Sequence, residues 1–93
     1  MDYGRYTNLA ADGVVICMPR PGGLHRVVVN FRGTGPNVLT LYDSAVAAAG
    51  AVLAVIDLTS PTSGTLHFGV ACKNGVVAML SGGTPGNVTV VTD

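Results

Sequence analysis

The chain contains no Glu, no Gln and no Trp, and a single lysine, Lys73. The residue types that fill exposed helix faces are therefore nearly missing. In their place stand 15 Val, 9 Thr and 13 Gly, the chemistry of strands and turns. The composition predicts an all-β protein. Charge is also scarce: 11% of the 93 residues are charged, against roughly 25% in an average soluble domain. Five Lys+Arg balance five Asp, for a net charge of zero. No basic surplus marks a nucleic-acid binder, and 48% hydrophobic residues are too many for a disordered tail. A domain this small has much surface per unit volume, so the shortage of charge points to surface that a partner covers.

Long apolar runs are absent too. The longest uncharged apolar stretch, Ser44 to Ile56, spans 13 residues, short of the roughly 20 that a membrane-spanning helix needs. The opening Met1-Asp2-Tyr3-Gly4 has neither the basic start nor the apolar run of a secretory signal, and no membrane partner is expected. Only two cysteines occur, Cys17 and Cys72. Without an export signal they read as small buried apolar residues rather than a disulfide.

Short apolar runs recur between turn signals at the spacing of a sandwich or barrel. Strands are expected near Tyr6–Ala10, Val14–Met18, Leu24–Arg32, Val38–Tyr42, Val52–Leu58, Thr65–Ala71, Val76–Leu80 and Val88–Thr92. One domain, residues 1–93, holds them all, as about eight short antiparallel strands in a jelly-roll-like β-sandwich. Asp12-Gly13 and Asn74-Gly75 predict type I′ hairpins, and Gly82–Gly86 a wider hairpin loop. Ala45–Ala49 predicts one helical turn, stopped by Gly50. Alternation puts His25, Val27, Val29 and Phe31 on one side of their strand and Arg26, Val28, Asn30 and Arg32 on the other. Val52–Leu58 and Val76–Leu80 are apolar on both sides. A two-layer sandwich buries only one face of each sheet, so the second face, carrying Leu53, Val55 and Val77, needs cover from the Ser44–Gly50 segment or from another subunit. Gly35-Pro36-Asn37-Val38 and Pro85-Gly86-Asn87-Val88 look alike, as one turn chemistry used twice.

Catalytic and metal signatures are weak. Cys17, His25, His67 and Cys72 have the types for zinc but not the close pairing that structural sites use. Ser44 or Ser81, His25 or His67, and Asp43 or Asp57 offer a hydrolytic triad only in composition, with no nucleophile elbow. His67, between Leu66 and Phe68, reads as a structural histidine with a hydrogen-bonded ring. Gly82–Gly86 lacks the residues that complete a phosphate loop. Asn87-Val88-Thr89 is a formal glycosylation sequon that carries no weight without export. No enzyme activity, metal or cofactor is expected. The most suggestive piece is the start of the chain: Tyr3, Arg5 and Tyr6 are of the types enriched at interfaces, and residues 1–6 read as an arm that docks on a neighbour, or else as a frayed terminus or an edge strand packed on its own domain.

Leu41-Tyr42-Asp43, Ala54-Val55-Ile56-Asp57, Gly64-Thr65-Leu66-His67-Phe68, Asn74-Gly75-Val76 and Gly82-Gly83-Thr84-Pro85-Gly86-Asn87-Val88-Thr89-Val90 together resemble the small β-sandwich structural proteins of tailed bacteriophages. The likeness covers roughly residues 24–93 and rests on turn and strand patterns. It implies a virion component assembled in the host cytoplasm. The expected role is a capsid decoration or cement protein bound to the major capsid protein or another virion protein, as a cyclic homo-oligomer, most simply a homotrimer. A tail or head-fibre component is the alternative; a carbohydrate-binding β-sandwich module is a poorer one, because only 5% of the residues are aromatic.

Overall fold

The computed structural model describes residues 5–59 and 64–93. Eight strands follow one another in the chain: β1 (Arg5–Leu9), β2 (Gly13–Met18), β3 (Gly22–Phe31), β4 (Val38–Asp43), β5 (Ala51–Asp57), β6 (Gly64–Cys72), β7 (Val76–Ser81) and β8 (Asn87–Thr92). Each lies where an apolar run had marked one, with ends displaced by a residue or two. They form two four-stranded sheets, ordered β1-β8-β3-β6 and β2-β7-β4-β5. Within them β1 pairs with β8, β2 with β7, β3 with β6 and β4 with β5, always antiparallel. This is the jelly roll: a long hairpin wound around itself, with its two sheets packed as a β-sandwich.

The winding overturns the expected hairpins. Asp12-Gly13 joins β1 to β2, Asn74-Gly75 joins β6 to β7, and Gly82–Gly86 joins β7 to β8; each connection passes from one sheet to the other. Among the described residues no non-glycine has positive φ, so neither Asp12 nor Asn74 adopts the type I′ conformation. Gly75, at φ 155°, serves instead to bring the backbone past Met18, whose carbonyl oxygen a Cβ would strike. Among the described residues only Ser44–Gly50, between the paired β4 and β5, closes a hairpin within one sheet. That segment is not a helical turn: Ser44 Oγ accepts the N–H of Val46 and of Ala47, both at 3.3 Å, and Ala49 N–H bonds Ala47 O at 2.8 Å.

The core lies between the sheets. Leu9, Leu24, Val27, Val29, Cys72, Val88 and Val90 come from one sheet, and Met18, Leu39, Leu41, Ile56, Val76, Ala78 and Leu80 from the other. The Cα envelope measures 35 × 27 × 16 Å, and its thin dimension fits two sheets about 10 Å apart. Strict alternation fails on β3, because its pairing slips between Leu24 and Arg26. Leu24 and Val27 both face inward, and His25, expected beside Val27, is exposed instead. A second slip between Val29 and Phe31 leaves the Phe31 ring 71% exposed. A bulge shifts the parity of every residue beyond it.

Candidate functional site

The outer face of the β2-β7-β4-β5 sheet follows from register. On β7, Val76, Ala78 and Leu80 enter the core, so Val77 and Met79 point away from it. Ile16 and Tyr42 flank Val77, with Val52 beyond Tyr42. Val14 and Thr40 flank Met79, with Val55 beyond Thr40. Two rows of largely apolar side chains thus cross all four strands. Val14 is 53% exposed, Ile16 47%, Val52 54% and Val55 66%. The charges stand at the margins: Asp43 and Asp57 close their strands, and Asp12 precedes β2.

The expected contact residues divide on this geometry. Val55 is an exposed member of the face. Val77 lies on the same face but is 0% exposed, so it supports its neighbours and offers no surface of its own. Leu53 is corrected: the β4–β5 pairing skips it, between Leu41/Ala54 and Tyr42/Val52, and it packs against the core. Arg5 and Tyr6 belong to no free arm; they open β1, opposite Thr92 and Val91, and Tyr6 is 77% exposed. Tyr3 lies outside the described residues. Val14 and Ile16 were missed. Their signal was present, since Val14–Met18 is apolar on both sides just as Val52–Leu58 is. Of the two possible covers for this face, the Ser44–Gly50 segment is excluded for Val14, Ile16, Val52 and Val55, which remain about half exposed or more.

The opposite outer face is polar. Tyr6, Val91, Arg26 and His67 form one row across β1, β8, β3 and β6. Asn87 Oδ1 accepts from Asn8 Nδ2 at 2.8 Å and from Asn30 Nδ2 at 2.9 Å. Thr89 Oγ1 accepts from the same two amides at 3.3 and 3.1 Å. His67, expected to have a structural role with a hydrogen-bonded ring, is an exposed residue opposite Arg26. Within the strands, Arg5 and Arg26 lie in the β1-β8-β3-β6 sheet and Asp43 and Asp57 at the ends of β4 and β5 in the other, while β2, β7 and β8 carry no charge.

The other chemical candidates are spread apart. His25 Nε2 lies 2.6 Å from Asp93 Oδ1, and Asp93 Oδ2 accepts Gly23 N–H at 2.7 Å. That N–H, and then His25, hold the Asp93 carboxyl below its usual range. Asp43 Oδ1 accepts the N–H of Asn74 at 2.8 Å and of Gly75 at 3.3 Å, and Oδ2 that of Lys73 at 3.2 Å. The Asn74 bond leads in depressing its pKa, so Asp43 fastens a turn. Ser44 is occupied by backbone amides. Cys17 and Cys72 are free thiols, and burial pushes the Cys17 pKa up to about 11. Among the described residues, no three His, Cys, Asp or Glu side chains gather where a metal ion would be held.

No protein-family model, curated protein or solved structure matches the chain.

Proposed function

We propose that this chain is a non-enzymatic structural protein of a virion, a decoration or cement subunit that strengthens a shell by covering surface between neighbouring subunits. One observation carries the docking part of this reading: the outer face of the β2-β7-β4-β5 sheet, with Val14, Ile16, Val52 and Val55 about half exposed or more and charge only at its margins. The largest exposed apolar patch on a typical monomer covers about 300–600 Å² and is often functional. From strand spacing and rise, two rows across four strands, with the width of their side chains, cover on the order of 300 Å². That is less than the roughly 800 Å² per partner of a standard interface. A single contact of this size is weak, so many copies acting together give the binding its strength. The virion assignment draws on the likeness of residues 24–93 to small phage structural proteins, and makes an apolar patch on the major capsid protein the natural counterpart.

Mass spectrometry of purified particles tests it through copy number. Hundreds of copies per particle indicate the shell, and a handful the tail. Val55→Lys places a charge on the β5 edge of the face and is expected to deplete the protein from particles while leaving its melting unchanged. Absence of the wild-type chain from purified virions overturns the proposal.

A further inference from the structure

Four strands stand at sheet edges: β1 and β6 in one sheet, β2 and β5 in the other. An exposed edge offers unpaired N–H and C=O groups to any second strand, and proteins block it with charge, proline, bulges or brevity. β1 carries Arg5. β5 is bulged at Leu53 and ends in Asp57. β6 is broken where one residue of β3, His25, faces two of its own, Phe68 and Gly69, between Leu24/Val70 and Arg26/His67, with Gly69 at φ 60°. β2 differs. Gly13–Met18 has no charge and no proline, and its pairing with β7 is regular from Gly13 to Ile16, slipping only beyond that point.

We propose that the free edge of β2 pairs antiparallel with β2 of a second copy of this chain, joining two sheets across a two-fold axis at Val15. The proposal narrows the assembly reading to one joint. With Val15 opposite itself, Val14 of each copy stands opposite Ile16 of the other. These half-exposed side chains then become cross-strand apolar partners on the same face. Centring the axis on Ile16 instead would set outward Val14 against core-facing Met18, so burial selects the register. Charge alone would favour the Ile16 register, which sets Asp12 opposite Arg20, but both lie outside β2 and are engaged within their own chain: Asp12 Oδ1 accepts from Asn37 Nδ2 at 3.4 Å and Arg20 lies close enough to Asp93 to lower its pKa. The apolar match of Val14 with Ile16 therefore sets the joint. The product is an eight-stranded sheet, within the range that twisted open sheets reach, whose apolar outer face runs unbroken through both copies.

Sedimentation and light scattering of the full chain, from micromolar to near-millimolar concentration, are expected to show a species of twice 9.4 kDa. On raising concentration, the β2 amides that point away from β7 should exchange more slowly with solvent. Ile16→Lys and Val14→Lys, on exposed positions that leave the fold intact, are expected to weaken dimerisation about tenfold or more. Val55→Lys, on the far edge of the same face, should leave the dimer intact while depleting particles. A monomer at all concentrations, a trimer, or a dimer broken by Val55→Lys but not by Ile16→Lys overturns the joint. None of those results bears on whether the chain is found in virions.

Discussion

Thr34 and Thr84 exchange both of their backbone hydrogen bonds: Thr34 N–H to Thr84 O at 3.0 Å, and Thr84 N–H to Thr34 O at 2.8 Å. This isolated antiparallel bridge ties the β3–β4 connection to the β7–β8 connection, the two segments whose sequences look alike. Beside it Asn37, 0% exposed, fastens the pair. Its Nδ2 donates to Ser81 O at 3.2 Å and Gly82 O at 3.0 Å, and its Oδ1 accepts Gly86 N–H at 2.9 Å.

Asn37→Ala strands a buried Gly86 N–H and two carbonyls, so urea denaturation should show a loss of about 2–4 kcal/mol. Asn87, its counterpart in the other copy of the motif, bonds side chains on the wet outer face. Asn87→Ala is expected to cost about 1 kcal/mol or less. Equal costs would mean that burial does not separate the two sites.

The core and the outer face of one sheet should respond oppositely to substitution. Leu41→Ala, fully buried, is expected to cost about 2–5 kcal/mol. Val55→Lys should change stability by less than about 0.5 kcal/mol. Thermal melts of the two variants beside the wild type give the comparison.

Acid should destabilise the fold through Asp43 and Asp93. Both folded-state pKa values lie below the ordinary 3.8, so the ionised carboxylates add stability that is fully present above that value. It is lost as pH falls through the lower folded values. Urea midpoints measured between neutral pH and pH 2 should drop below about pH 4. In the double variant Asp43→Asn, Asp93→Asn the drop should be visibly smaller; an unchanged acid limb would remove these two residues as its source.

Cys17 should be chemically silent in the native protein. A thiol with a pKa raised by burial to about 11 holds almost no thiolate at pH 8, and the thiolate is the reactive form. Ellman's reagent is expected to label the native chain slowly and both cysteines promptly in denaturant. Rapid native labelling of Cys17 would contradict its placement.

The strands were legible because apolar runs and turn residues report local preference. The winding was not. Asp-Gly and Asn-Gly state that a glycine conformation is available, but not whether the next strand joins the same sheet or the opposite one. Parity was readable on β7, where pairing is regular, and misleading on β3 and β5, where a one-residue slip exchanges inside for outside. His25, Phe31 and Leu53 all fell to that cause. The apolar face was half visible: Val55 was found, while Val14 and Ile16 were missed although Val14–Met18 is apolar on both sides.

Pairing first strands with last also governs how the chain folds. Asn8 bonds Asn87 across 79 positions, and among the described residues only β4 and β5 pair through a short loop. Loop-closure entropy must be overcome before such distant contacts repay it, which places refolding in the millisecond-to-second range typical of sandwiches. The β4–β5 hairpin is the natural nucleus. On a ribosome β1 waits for β8, so its partner arrives only after every strand between them has been synthesised.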